Sequence, residues 1–401
     1  MSQFEIVVIG AGLAGSIAAI ALARGGRKVA IVAPKRKASD QRTTALMDQS
    51  IRFLDRLGLW DDIKPSASRL STMQIIDGTK RLFRAPPVAF RSSEIGLDAF
   101  GYNIPNEPLL AALEKAIAAE ANITVIGDAA DDIHIDADNV TVTFSGGKTL
   151  EASFVIGADG KNSVTRKSAG IDVKTWSYPQ TALVMNFTHS RPHQNTSTEF
   201  HTDSGPFTQV PLSGDRSSLV WVCRPRDAET MTALPLEELS RLVEQRSESI
   251  LGKVEVEDSV QAWPLSGMTA TRYGAGRCAL IGEAAHAFPP IGAQGLNLSL
   301  RDVAALEDLL CRNTGQPIDP RAGDSFDRRR KVDVLSRTAS VDLLNRSLLS
   351  GLLPVQMMRA AGLHLLSGIA PLRQMMMREG VAPGMALREF PSVLKEKVRR
   401  Q

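Results

Sequence analysis

Gly10-Ala11-Gly12-Leu13-Ala14-Gly15 has the residue types and spacing to hold a phosphate-bearing ligand. In such a run the first glycine makes a tight turn, the second lets a pyrophosphate approach the backbone, and the third lets a helix pack on the preceding strand. The helix N-terminus then offers its unpaired N–H groups to the anion. The usual companion is an acidic residue closing the second strand, about 20 residues on, which holds the adenosine ribose. That place reads Ala33-Pro34-Lys35. Either other groups hold the ribose or the cofactor is bound more weakly, and Lys35 keeps a 2′-phosphate, hence NADP, open as an alternative.

A second glycine-rich strand-loop-helix follows Cys278–Ile281. It runs Gly282-Glu283-Ala284-Ala285-His286-Ala287-Phe288-Pro289-Pro290-Ile291-Gly292-Ala293-Gln294-Gly295-Leu296-Asn297. A nicotinamide dehydrogenase has no use for it. A flavin does, because its ribityl chain and isoalloxazine ring need a second clamp. An acidic side chain after the strand suits ribityl hydroxyls, and a helix beginning at Gly295 would turn its positive end toward the N1–C2=O edge of the ring. The plain alternative, a Gly/Pro loop before a surface helix, does not account for so specific an order.

Other chemistry-bearing side chains read more simply. His286 caps or packs its turn rather than acting as a base. His189, His193 and His201 are expected as solvated loop residues, since no carboxylate or cysteine spacing beside them suggests a metal. Met375-Met376-Met377 reads as packing or lipid-facing surface. No nucleophile-base pair is visible, so no catalytic side chain is assigned.

The elements that position these residues belong to a chain of 401 residues, long enough for two or three domains at about 100–200 residues each. With 43% hydrophobic and 23% charged residues it can bury a large core, which excludes disordered and collagen-like classes. Lys plus Arg total 47 against 44 Asp plus Glu, a balance that gives no reason to expect a nucleic-acid partner. Three cysteines without metal or disulfide spacing fit a reducing compartment. The 18 uncharged residues from Ile6 to Ala23 approach membrane-span length. Their glycines and the absence of a basic leader favour strand, turn and helix in a fold with no cleaved signal.

Beyond this βαβ start, a helix is expected over Asp48–Leu59 and another over Leu109–Ala121. Short strands follow at Ile123–Ile126, Ile133–Ile135, Val140–Phe144, Thr149–Glu151 and Phe154–Ile156, with Gly146-Gly147 as a hairpin turn. From about Trp176 to Trp263 the pattern becomes β-rich with one helix near Leu236–Ser249. A long helix starts near Gly295. The last sixty or so residues are oily, with only Arg359 charged between Ser347 and Leu372, but Pro354 divides them into pieces too short to span a bilayer. The basic tail (Lys395, Lys397, Arg399, Arg400) beside them favours an anionic membrane surface.

Three motifs in order resemble the class A FAD-dependent aromatic hydroxylases, the group typified by para-hydroxybenzoate hydroxylase. They are Gly10–Gly15, Gly157-Ala158-Asp159-Gly160 with Ser163 and Arg166, and Gly282–Asn297. Within that group the chain is most similar to the ubiquinone-biosynthesis hydroxylases. That likeness includes Arg42 with Ala45-Leu46, Leu57-Gly58-Leu59-Trp60, Leu298-Ser299-Leu300-Arg301-Asp302-Val303 and Arg329-Arg330-Lys331-Val332-Asp333.

The resemblance implies an α/β fold: a Rossmann-like FAD-binding domain (1–75, 101–175, 269–345), an inserted β-rich substrate domain (76–100, 176–268) and a C-terminal helical segment (346–401). It implies FAD bound by Gly10, Gly12, Leu13, Ala14 and Gly15. Arg42 would approach the pyrophosphate, and Asp159 and Gly160 would serve FAD and an incoming reduced nicotinamide. Gly282, Glu283, Gly292 and Gly295 would shape the ribityl side, Pro289 would lie beside the ring, and the Leu296 and Asn297 backbone would meet the pyrimidine edge. Glu283 stands where the family usually has Asp, one methylene shorter.

The implied reaction hydroxylates a polyprenylated phenol in ubiquinone biosynthesis through a flavin C4a-hydroperoxide. It uses dioxygen and electrons from NAD(P)H or another donor. Alternatives are hydroxylation of a soluble aromatic acid and a non-catalytic flavoprotein scaffold of a biosynthetic complex. A cytoplasmic protein, peripheral on the inner membrane face through its C-terminal helices, is the expected location.

Overall fold

Ile6-Val7-Val8-Ile9 offers no polar side chain to either face, and the strand it forms, Phe4–Ile9, lies at the centre of a mainly parallel sheet with those four residues buried. The computed structural model describes residues 4–36, 40–79, 86–289, 293–349 and 370–381. The sheet's order is Gly274–Ala275, Cys278–Leu280, Thr149–Gly157, Phe4–Ile9, Val29–Val32, Ile123–Ile126, parallel from the second to the last. The chain leaves its first strand toward Val29–Val32 and later returns on the other flank. That reversal makes a switch point, where crevices open at the carboxyl ends of strands.

The uncharged N-terminal run resolves into strand, turn and the helix Leu13–Arg24, in which Gly15 through Ala23 are all buried. A helix enclosed on all sides needs no polar stripe, which explains its resemblance to a membrane span. Thr149–Gly157 is one continuous strand rather than two. Its first half pairs antiparallel with Val140–Phe144 across the Gly146-Gly147 turn, and its second half pairs parallel with Phe4–Ile9. Both turn glycines have positive φ, +92° and +77°, as a tight hairpin requires. The small Ala152-Ser153 pair disguised this continuity in the sequence.

A second, nine-stranded sheet runs His286–Ala287, Gln261–Ala270, Val173–His189, Arg216–Cys223, Gly205–Leu212, Thr196–Thr202, Thr72–Asp77, Val88–Arg91, with Val254–Val256 beside Val173–His189. Its pairings are antiparallel except that of Thr196–Thr202 with Thr72–Asp77. Two helices pack here, not one: Leu236–Arg246 as expected, and Pro225–Thr232, a short helix opened by its proline. Leu183, Phe187, Phe207, Trp221, Leu239 and Val243 form their shared core. His189 and His201 are corrected from solvated loops to buried strand positions. His189 meets Ser217 Oγ at 3.1 Å and His201 meets Glu199 at 2.8 Å. One ring nitrogen of each imidazole finds a partner inside.

A small antiparallel sheet of Thr43–Met47, Gly101–Pro105 and Ser68–Leu70 makes a third layer. The helix Gln294–Leu310 begins where the sequence suggested, and Ala322–Leu349 follows it. The helix Ala370–Val381 folds back so that Met377 and Val381 pack with Phe100, while Arg373 pairs with Glu94 at 2.6 Å and lies over the Phe90 ring. Among the described residues no helix is long and apolar enough to cross a membrane. Residues 350–369 and the basic tail lie outside the described residues.

Candidate functional site

Three turns leave the carboxyl ends of three adjacent parallel strands and are bonded to one another through the backbone. Gly10 N–H donates to Val32 O, Ala158 N–H to Ile9 O and Ile281 N–H to Gly157 O, all within 2.9 Å. The turns are those of Gly10–Gly15, Ala158–Gly160 and Gly282–Ala284, so the three motifs converge at the switch point.

The glycines divide into two kinds. Gly10 has φ +105°, and a Cβ there would fall 2.3 Å from Ala158 O; a Cβ on Gly15 would fall 2.0 Å from Gly10 O. These two are demanded by packing within the protein. A Cβ on Gly12 or Gly295 would meet no atom within 4 Å. Their openness leaves a cradle of bare backbone at two helix starts, the setting that phosphate and flavin edges require. Gly282, at φ +59°, would bring a Cβ within 3.2 Å of the Ala14 side chain, so the first and third motifs touch. Leu13 and Ala14 are half-buried on the rim.

Asp159 points inward. Its carboxylate accepts from Ser163 Oγ at 2.6 Å and from the Thr165 N–H at 3.1 Å, supporting the Ser163 side chain that caps the helix Val164–Ser168 and fixing the turn whose backbone at Gly160 stays open. Arg166 is buried and donates to Ala284 O at 2.9 Å and Lys161 O at 2.7 Å. Burial lowers its pKa, against the pull of Asp159. It staples the second turn to the third, a role that its place in the second motif did not reveal.

Arg42 is half-exposed and donates twice to Asp40, each bond 2.8 Å, with its guanidinium 5.3 Å above the Trp263 ring. The Asp40 hydrogen bonds raise its pKa, and the negative charge of Glu283 adds to the effect. Burial would raise the Asp40 pKa, but Arg42 and Asn106 outweigh it and hold the carboxyl below its usual value. Asn106 donates to Asp40 at 2.9 Å, and Glu107 accepts from Arg36 at 3.1 Å and from the Asp40 N–H. Asp40, Asn106 and Glu107 were missed in the sequence because no local motif marks them. Through Arg36, four residues past Val32, they connect to the segment that lacks an acidic residue after the second strand.

In the third motif Glu283 is exposed and Pro289 buried, while Gly292 lies outside the described residues. Ala293, in the left-handed region at φ +52°, starts the helix Gln294–Leu310 with no side-chain cap, so its first N–H groups stay unclaimed by a capping side chain. Leu296 packs partly into the core. Asn297 accepts from the Met47 N–H at 2.9 Å and Ser50 at 2.7 Å and donates to Ala45 O at 2.8 Å, tying this helix to Thr43–Met47. His286 packs within its turn, as expected. It stacks on Phe288 and also pairs with the buried Asp302 at 2.7 Å. Among the described residues no cluster of His, Cys, Asp or Glu could hold a metal.

Residues 3–332 match the FAD binding domain family. The ubiquinone hydroxylase UbiL of Rhodospirillum rubrum is 32% identical over 387 residues, covering 94% of this chain and 89% of that protein. The 3-demethoxyubiquinol 3-hydroxylase of Escherichia coli is 29% identical, covering 90% of this chain and 93% of that one. The crystal structure of p-nitrophenol 4-monooxygenase PnpA from Pseudomonas putida superposes with a TM-score of 0.77 at 20% identity, over 96% of this chain and 99% of its own. Three converging turns with open backbone suit FAD, and the chain belongs to the FAD binding domain family, alongside the ubiquinone hydroxylases, as an FAD-dependent monooxygenase.

Proposed function

We propose that this enzyme hydroxylates the aromatic ring of a polyprenylated phenol in ubiquinone biosynthesis. The observation that carries the proposal is the similarity to a ubiquinone hydroxylase over 94% of the chain, with all three glycine motifs inside the residues 3–332 that match the FAD binding domain family. Bound FAD supplies activation of dioxygen, with electrons from a reduced nicotinamide.

The chain's own residues bind and orient. The N–H groups around Gly12, Leu13 and Ala14 would receive the pyrophosphate, and Arg42, held by Asp40, would offer its guanidinium to the phosphates. Glu283, longer by a methylene than the family's aspartate, takes the ribityl hydroxyls from the exposed side. Gly295, Leu296 and Asn297 present backbone to the pyrimidine edge, and Pro289 walls the ring. Asp159 holds the turn that leaves Gly160 open to the cofactors. No side chain is required as a nucleophile. The nine-stranded sheet covers the reacting ring and keeps water away.

Peripheral contact with an anionic bilayer would deliver the lipid tail. Val332 is 77% and Leu335 46% exposed on Ala322–Leu349, with exposed Arg328 and Lys331 on the same helix.

The test is the visible spectrum of gently purified protein, followed by complementation of a hydroxylase-deficient strain. Flavin bands and restored ubiquinone are expected. Efficient turnover of a soluble aromatic acid, without restored ubiquinone, would overturn the substrate assignment.

A further inference from the structure

A buried chain of charges ties the strand His286–Ala287 of the third motif to the helices that follow it. His286 is 2%, Asp302 1% and Arg330 5% exposed. His286 Nε2 lies 2.7 Å from one Asp302 oxygen, and Arg330 Nε donates to the other at 2.7 Å. Arg330 also reaches Asp333 at 2.5 Å, and Arg301 meets Asp333 at 2.8 Å. Despite burial, Arg330 and His286 hold the Asp302 carboxyl below the ordinary carboxylate range.

Such an assembly is a poor way to gain stability. Desolvating charges costs about as much as their pairing returns, and well-packed apolar residues often serve as well or better. Arg330 Nη2 is itself buried without a partner among the described residues. What the assembly does supply is geometry. His286 precedes Pro289 and Asp302 follows Asn297, so their contact joins the segment 286–289 to the first turns of the helix Gln294–Leu310, which carry Gly295, Leu296 and Asn297. The ring of His286 is further fixed by stacking on Phe288 at 5.3 Å and 18°. Its backbone belongs to the last strand of the nine-stranded sheet, where it faces Thr269. The imidazole therefore stands where the flavin loop, the following helices and the second sheet meet.

We propose that His286 is a positioning residue for the flavin. Paired with Asp302, which Arg330 holds in place, it sets the segment 286–289 and the start of the helix Gln294–Leu310 against the isoalloxazine and acts through them, not on reacting atoms. This rests on the reading that Gly295–Asn297 clamps the flavin.

The test compares wild type with His286→Ala, His286→Gln and Gly295→Leu. FAD is stripped and titrated back by flavin fluorescence, the visible circular dichroism of the bound flavin is recorded, and the thermal midpoint of each apoprotein is measured. His286→Ala should weaken FAD binding about tenfold or more, as loss of a charge-assisted hydrogen bond would, and alter the visible dichroism. His286→Gln, whose amide N–H reaches toward Asp302, should recover most of both. If both His286 variants move only the apoprotein midpoint, the residue is structural and the proposal fails. If they behave as wild type while Gly295→Leu loses FAD, the proposal fails and the clamp stands. If Gly295→Leu also binds normally, the clamp itself is wrong and the proposal falls with it.

Discussion

At the scale of single residues, two glycines of one motif should fail in opposite ways. Gly15→Val forces a side chain into the Gly10 carbonyl and should cost about 3 kcal/mol or more, read as a lowered urea midpoint. Gly12→Leu points into open space and should change stability by less than about 0.5 kcal/mol while abolishing flavin retention in the visible spectrum. Both glycines were legible in the sequence as a turn between strand and helix, because such a turn is specified by neighbours a few positions apart. Asp302 illustrates what was not. Its partners His286 and Arg330 lie 16 and 28 positions away, and only folding joins them. A carboxylate with a depressed folded pKa contributes stability above its unfolded value, near pH 4, and loses it as pH falls through the folded one. Urea unfolding between about pH 5 and pH 2 should therefore show a shallower loss for Asp302→Asn than for wild type. Parallel curves would exclude Asp302 as the group responsible.

Among the elements, those with a single local rule were readable: the buried strand Phe4–Ile9, the hairpin at Gly146-Gly147, the helix from Gln294. Pro225–Thr232 was not, because eight residues with two buried side chains carry little periodicity. Nor did any pattern announce that Ala370–Val381 would return to the segment 88–100. That contact rests on Arg373, which grips Glu94 with two nitrogens, donates to Ala89 O and covers Phe90. Arg373→Ala should detach the helix, and limited proteolysis should then cut within 370–381 several-fold faster than in wild type. An unchanged cleavage rate would mean that Met377 and Val381 hold the helix unaided.

For the whole molecule, composition foretold a large core but not the chemistry of what lies in it. Burial pushes the Cys223 thiol up to about 12 and Cys311 to about 11, and raises Cys278 further. Thiolate, the reactive form, is then scarce at pH 8, so a disulfide reagent should label native protein slowly and all three cysteines at once in urea. Rapid labelling of the native form would show that the thiols are open to solvent. The pairing of Met268 with Ala287 and of Thr269 with His286 reaches beyond its hydrogen bonds. Because the outermost rung of the nine-stranded sheet is cut from the third glycine motif itself, the sheet cannot be exchanged as a separate module. A chimaera that borrows a relative's sheet for a new substrate would have to bring that relative's 286–287 rung along. Enzymes built this way should diversify their substrates by changing side chains on a retained sheet more readily than by recombination.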